Sequence, residues 1–142
     1  MATTSVPRRI AIERTRAGRF SATNDRGGRV SFGTGDDTQF TPTELLLAAI
    51  GGCTAIDVDI LTSRRAEPDS FAIEVDANKV RDDEGNRLTD IVVTFRIAFP
   101  LGADGDAARA VLPDSVQRSH DRLCTVARTV ELATPIATRI EQ

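Results

Sequence analysis

The chain has 142 residues, 40% of them hydrophobic, which suits one domain with a core of its own. Acidic and basic residues are interspersed and sum to a formal charge of -3, and there is neither tryptophan nor tyrosine, so the basic footprint and stacking platform of a nucleic-acid binder are excluded. Met1 to Arg9 carries neither the apolar run nor the cleavage pattern of a secretory signal, so the expectation is a cytoplasmic protein whose two cysteines are reduced at rest.

In chain order, Ile10 and Ile12 alternate with polar neighbours. Arg19 to Thr23 and Arg29-Val30-Ser31-Phe32, separated by the turn Asn24-Asp25-Arg26-Gly27-Gly28, extend them into a short meander. The polar loop Gly33 to Asp37 leads to the longest apolar run. Thr41 has the place of an N-cap and Pro42 the first helical position, while Glu44, three residues after the cap, completes a capping box with Phe40 and Leu45 as its staple. The pattern predicts a helix from Pro42 to about Ser63, stopped before Pro68. No residue from Leu45 to Ile56 is charged, so this helix is expected to be buried on most sides. It falls short of the roughly 20 apolar residues of a membrane span. Gly51-Gly52 costs about 1 kcal/mol per glycine relative to alanine. Close approach of a second helix is the expected reason, and so long an apolar surface on so short a chain points to a second subunit packing there.

Phe71, Ile73, Val75 and Ala77 alternate with polar residues as a half-buried strand. Asp82-Asp83-Glu84-Gly85-Asn86 makes a hairpin turn, and Ile91 to Phe99 answers antiparallel before Pro100. Helical spacing returns from Asp104 to Leu123, with Pro113 as a kink or a fresh first turn, and Cys124 follows directly. Thr129 to Ile140 alternates weakly around Pro135 and reads as a terminal edge strand. The order predicts one domain, residues 1–142, of the α+β class, with helices segregated from an antiparallel sheet.

Taken by themselves, two cysteines in a reducing compartment are most often small buried hydrophobes, with a redox pair as the alternative. The compartment disfavours a structural disulfide, and Cys53, Cys124 and the lone His120 fall short of four zinc ligands, so neither metal nor cofactor is expected.

The run Pro42-Thr43-Glu44-Leu45-Leu46-Leu47-Ala48-Ala49-Ile50-Gly51-Gly52-Cys53-Thr54-Ala55-Ile56-Asp57-Val58, with the later Ser119-His120-Asp121-Arg122-Leu123-Cys124-Thr125-Val126, resembles the osmotically inducible protein C and organic hydroperoxide resistance family (OsmC/Ohr). The resemblance in element order spans nearly the whole chain. It implies an antiparallel sheet wrapped around a long buried central helix in an intertwined homodimer. It also implies a thiol-dependent peroxidase for organic hydroperoxides, with Cys53 reactive and Cys124 resolving, and an external dithiol reductant of lipoyl type. A nucleophilic thiol needs a nearby cation, because burial alone disfavours the thiolate. In the family's hydroperoxidases an N-terminal arginine of the pattern arginine, any residue, glycine, arginine provides it. Arg16-Ala17-Gly18-Arg19 meets that pattern, with Arg16 first choice and Arg19 next.

One departure stands out. The family's carboxylate follows the helix proline directly, where this chain has Thr43; Glu44 comes one residue later, about 100° around the helix, and capping accounts for it. The Glu-Leu-Leu-Leu-Ala-Ala opening resembles the OsmC-like branch more closely. Asp57, one turn beyond Cys53, would disfavour the thiolate if the two share a face, or else pair with the arginine. His120 could accept a proton, or simply complement a helix end. Two classes of function remain: the peroxidase, and a catalytically weak dimer that binds a small apolar or thiol-reactive ligand in the same place. No nucleic acid and no membrane is expected as a partner.

Overall fold

A computed structural model describes residues 2–142. Their elements run β1 (Ile10–Arg16), β2 (Arg19–Asn24), β3 (Arg29–Gly33), α1 (Pro42–Ser63), β4 (Ser70–Asp82), β5 (Gly85–Ala98), α2 (Ala103–Arg118), a π-helical turn (Ser119–Leu123) and α3 (Thr125–Glu131). This is the α+β class with antiparallel sheets that the sequence predicts. The chain forms two compact units, Met1–Leu46 and Leu47–Gln142, and α1 begins in the first and continues through the second.

In the first unit, β1, β2 and β3 form an antiparallel meander in that order. The Asn24 side chain closes the second turn by accepting from the N–H groups of Arg26 (3.0 Å) and Gly28 (2.8 Å). Phe20 and Phe32 stack across the sheet, 5.9 Å between ring centroids. The capping box forms as predicted: Thr41 Oγ1 accepts from the Glu44 N–H (3.1 Å), and Glu44 accepts from the Thr41 N–H (2.9 Å).

In the second unit, β4 and β5 form a long antiparallel hairpin whose register runs from Ser70 opposite Ala98 to Asp82 opposite Gly85, with an irregularity between Asp76 and Asn78. Both strands outrun the sequence prediction toward the turn. Residues such as Lys79, Arg81 and Arg87 are exposed there and have no dry face to report their pairing. Asp82 closes the turn by accepting from the Glu84 N–H (3.0 Å).

A single chain buries only part of α1, and burial on its other sides would need the second subunit that the sequence leads one to expect. Within the chain its buried residues are Ile50, Gly51, Thr54, Val58 and Thr62, a single stripe at helical spacing, while Ile56 and Ile60 stand 63% and 50% exposed. The close approach at Gly51 comes from a strand instead of a second helix: a Cβ there would lie 2.5 Å from Val75 Cγ2, whereas Gly52 faces open space. By length and composition, α1 is also long and apolar enough to cross a membrane, contrary to the sequence estimate, a test that the core helix of a soluble protein passes too.

The C-terminal part departs most. The predicted strand from Thr129 to Ile140 is absent among the described residues; α3 covers its beginning, and no regular element follows. Alternation was weak there because α3 has no buried residue to mark a face. Pro113 lies inside α2 instead of opening a new helix, and α2 gives way at Ser119 to the π turn.

Candidate active site

The site is assembled in the second unit from α1, the π turn and the start of α3. Cys53 sits half-buried on α1, with Asp57 one turn further along the same face. Cys124 has no solvent exposure and occupies the N-cap of α3, where its Sγ accepts from the Ala127 N–H at 3.4 Å. Both thiols are free. The two sulfurs and an Asp57 carboxylate oxygen all lie within 4.8 Å of one another. The π turn makes this meeting possible: the Cys124 N–H donates to the Ser119 carbonyl (2.8 Å), five residues back, and the extra residue lets Ser119 and Cys124 both reach the same stretch of α1.

Ser119 then ties the cluster together. Its hydroxyl donates to Asp57 Oδ2 at 2.8 Å and lies 2.8 Å from the hydroxyl of Thr54, which therefore donates to Ser119. Burial pushes the Cys124 thiol above its ordinary value; the Ala127 N–H pulls it back in part, and the neighbouring Cys53 and Asp57 push it up further. A cleft of about 630 Å³ opens beside Cys124, its apolar wall including Ile50, Val93, Phe95 and Val116, with Asp90 and Glu131 among its polar groups.

Of the residues expected from the sequence, Cys53 and Cys124 are brought together. Asp57 does share the face of Cys53, and its Oδ2 accepts a hydrogen bond from the Ser119 hydroxyl. His120 lines the cleft and bonds Asp121 (3.0 Å) and Glu131 (2.9 Å), which raise its pKa. Two soft sulfurs and one oxygen remain one short of the four ligands of a closed zinc site. Ser119 and Thr54 were missed; the available signal was that each is a small hydroxyl residue inside one of the two cysteine motifs.

In the first unit, Arg16 stands exposed at the end of β1, opposite Arg19 in the ladder. Arg19 is largely buried and pairs with Asp36 (2.5 Å) and Asp37 (2.8 Å), so its charge is already matched, while Arg16 has no ion pair among the described residues. Glu44 is spent on the cap, and the Thr41 N–H holds its carboxyl below the ordinary value.

The chain is a small α+β protein that sets a half-buried thiol on a long apolar helix against a second thiol at another helix cap. The family model for OsmC-like protein matches residues 34–139, and the chain belongs to that family. It is 29% identical over 126 residues to an uncharacterized protein of Mycobacterium tuberculosis, a match covering 88% of this chain and 90% of that one. Its fold is similar to an OsmC-like protein of unknown function from Vibrio cholerae (TM-score 0.73, 13% identity, 89% of this chain and 95% of that one). It is also similar to a protein from Legionella pneumophila described as an organic hydroperoxide resistance protein (TM-score 0.58, 12% identity, 90% and 91%).

Proposed function

We propose that this protein is a thiol-dependent peroxidase for organic hydroperoxides, with Cys53 attacking and Cys124 resolving. The observation that carries this reading is the approach of two free sulfurs to within 4.8 Å from different elements, in a family that includes hydroperoxide resistance proteins. The Cys53 thiolate attacks the distal oxygen of R–O–O–H, the O–O bond breaks, the alcohol leaves, and the sulfur becomes a sulfenic acid. Cys124 condenses with it to a disulfide and water, and an external dithiol of lipoyl type returns both thiols. Arg16 is the cation assigned to the attacking thiolate, a choice supported by the local pairing of Arg19 with two aspartates. The protein works as a homodimer in the reducing cytoplasm, and the exposed apolar side of α1 supports the dimer.

Stoichiometric organic hydroperoxide should convert the protein to an intramolecular Cys53 to Cys124 disulfide, a loss of about two hydrogens by mass spectrometry. Cys53→Ser should consume none. Cys124→Ser should react once and stall as sulfenic acid or pass to sulfinic acid. Equal consumption by the wild type and Cys53→Ser would overturn the reading. The second reading, a dimer that binds a small apolar or thiol-reactive ligand, would then take its place, and the apolar cleft beside Cys124 favours it.

A further inference from the structure

The buried half of the thiol pair has a proton to lose before it can attack anything, and water does not reach it. Beside it, the Asp57 carboxylate is held by a short chain of hydroxyls. Thr54 donates to Ser119, and Ser119 donates to Oδ2 of Asp57, each at 2.8 Å, so Oδ1 is left for another partner. For a thiolate at Cys124 this arrangement is a poor one, since the Asp57 carboxylate, within 4.8 Å, repels negative charge there. As a proton acceptor it lies within 4.8 Å of both sulfurs, and a small approach brings it into hydrogen-bond reach of either.

We propose that Asp57 is the acid–base group of disulfide formation, taking the Cys124 proton and delivering it to the hydroxyl that leaves Cys53, with Ser119 and Thr54 positioning its carboxylate. The assignment rests on the peroxidase reading for its place in turnover. Cys124–S–H transfers its proton to Asp57, and the freed sulfur pair forms the S–S bond to the Cys53 sulfur. The Cys53 S–O bond breaks, its electron pair leaves with the hydroxyl, and that group takes the proton back from Asp57 as water. The sulfenic sulfur is reduced, the Cys124 sulfur is oxidised, and Asp57 ends as it began. The raised proton affinity of Cys124 agrees with this order, because the thiol stays protonated until the acceptor and a sulfenic acid are both beside it.

Resolution can be watched without peroxide. Dithiobis-nitrobenzoate forms a mixed disulfide on half-buried Cys53 and releases one coloured thiolate; attack by Cys124 on that disulfide releases a second. Asp57→Asn, which keeps an oxygen for the Ser119 hydroxyl, should slow the second release by about 10²-fold relative to the first. Asp57→Glu should recover part of it, and unchanged melting temperatures would separate the effect from misfolding. Challenged with an organic hydroperoxide, Asp57→Asn should accumulate a dimedone-trappable sulfenic acid on Cys53. If the wild type consumes no hydroperoxide yet the second release depends on Asp57, the peroxidase reading fails and the relay stands. If the wild type consumes hydroperoxide and Asp57→Asn releases both thiolates at wild-type rates, or slows both equally, the relay is wrong and the peroxidase reading stands.

Discussion

A thiolate at Cys124 would be cut off from water, and its neighbours Cys53 and Asp57 are themselves acids, which is why its proton is held above the ordinary thiol range. Cys53, on the helix surface, is only half-buried. Alkylation of the reduced native protein at neutral pH should therefore label Cys53 first and leave Cys124 until the chain unfolds, a difference that peptide mass spectrometry reads directly. His120 gives a second expectation at this scale. Its hydrogen bonds to Asp121 and Glu131 raise its folded pKa, so the stability they add is fully present below about pH 6.5 and is lost as pH rises through the raised value. With the side chain 54% exposed, the effect is at most about 1 kcal/mol. The melting temperature of the wild type should fall more between about pH 6 and about pH 9 than that of His120→Gln. The two thiols were legible as candidates because their motifs are distinctive. The hydroxyls of Thr54 and Ser119 were not, since nothing in their spacing relates residues 54 and 119 before the chain folds.

Helix α1 shows what one glycine does and its neighbour does not. At Gly51 a methyl group would gain about 1 kcal/mol of helix propensity but meet Val75 Cγ2 at 2.5 Å and Ile73 Cγ2 at 3.4 Å, and overpacking of that kind costs about 1–3 kcal/mol. Gly51→Ala should therefore leave the melting temperature unchanged or lower it. At Gly52 nothing in the chain lies within 4 Å, so Gly52→Ala should stabilise an isolated chain by about 1 kcal/mol. If a second subunit covers that face, the same substitution should instead weaken the dimer, and melting at two protein concentrations distinguishes the two. The start of α1 was readable because a capping box is local. The end of the chain was misread because α3 buries none of its residues, and a helix without a dry face leaves no period to find.

For the whole molecule, the exposed side of α1, with Ile56 and Ile60 on it, is a surface of the kind that oligomers cover. Sedimentation at micromolar concentration should give a stable dimer, and a persistent monomer would remove the homodimer from the proposal. If dimerisation supplies the cover, dilution should expose this face and increase binding of an apolar dye, whereas a chain that is stable alone should show no concentration dependence.

By itself the sequence determined the class of the fold, the family, the capping of α1, the hairpin and the identity of the two thiols, because each is written in a local pattern or a contiguous motif. Tertiary structure alone decided that α1 buries one stripe, that a strand rather than a helix lies over Gly51, and that Asp57 turns to Ser119. These depend on which distant segments arrive at α1. The π turn brings Ser119 and Cys124 to it together, and no spacing in a linear sequence states where a chain will meet itself.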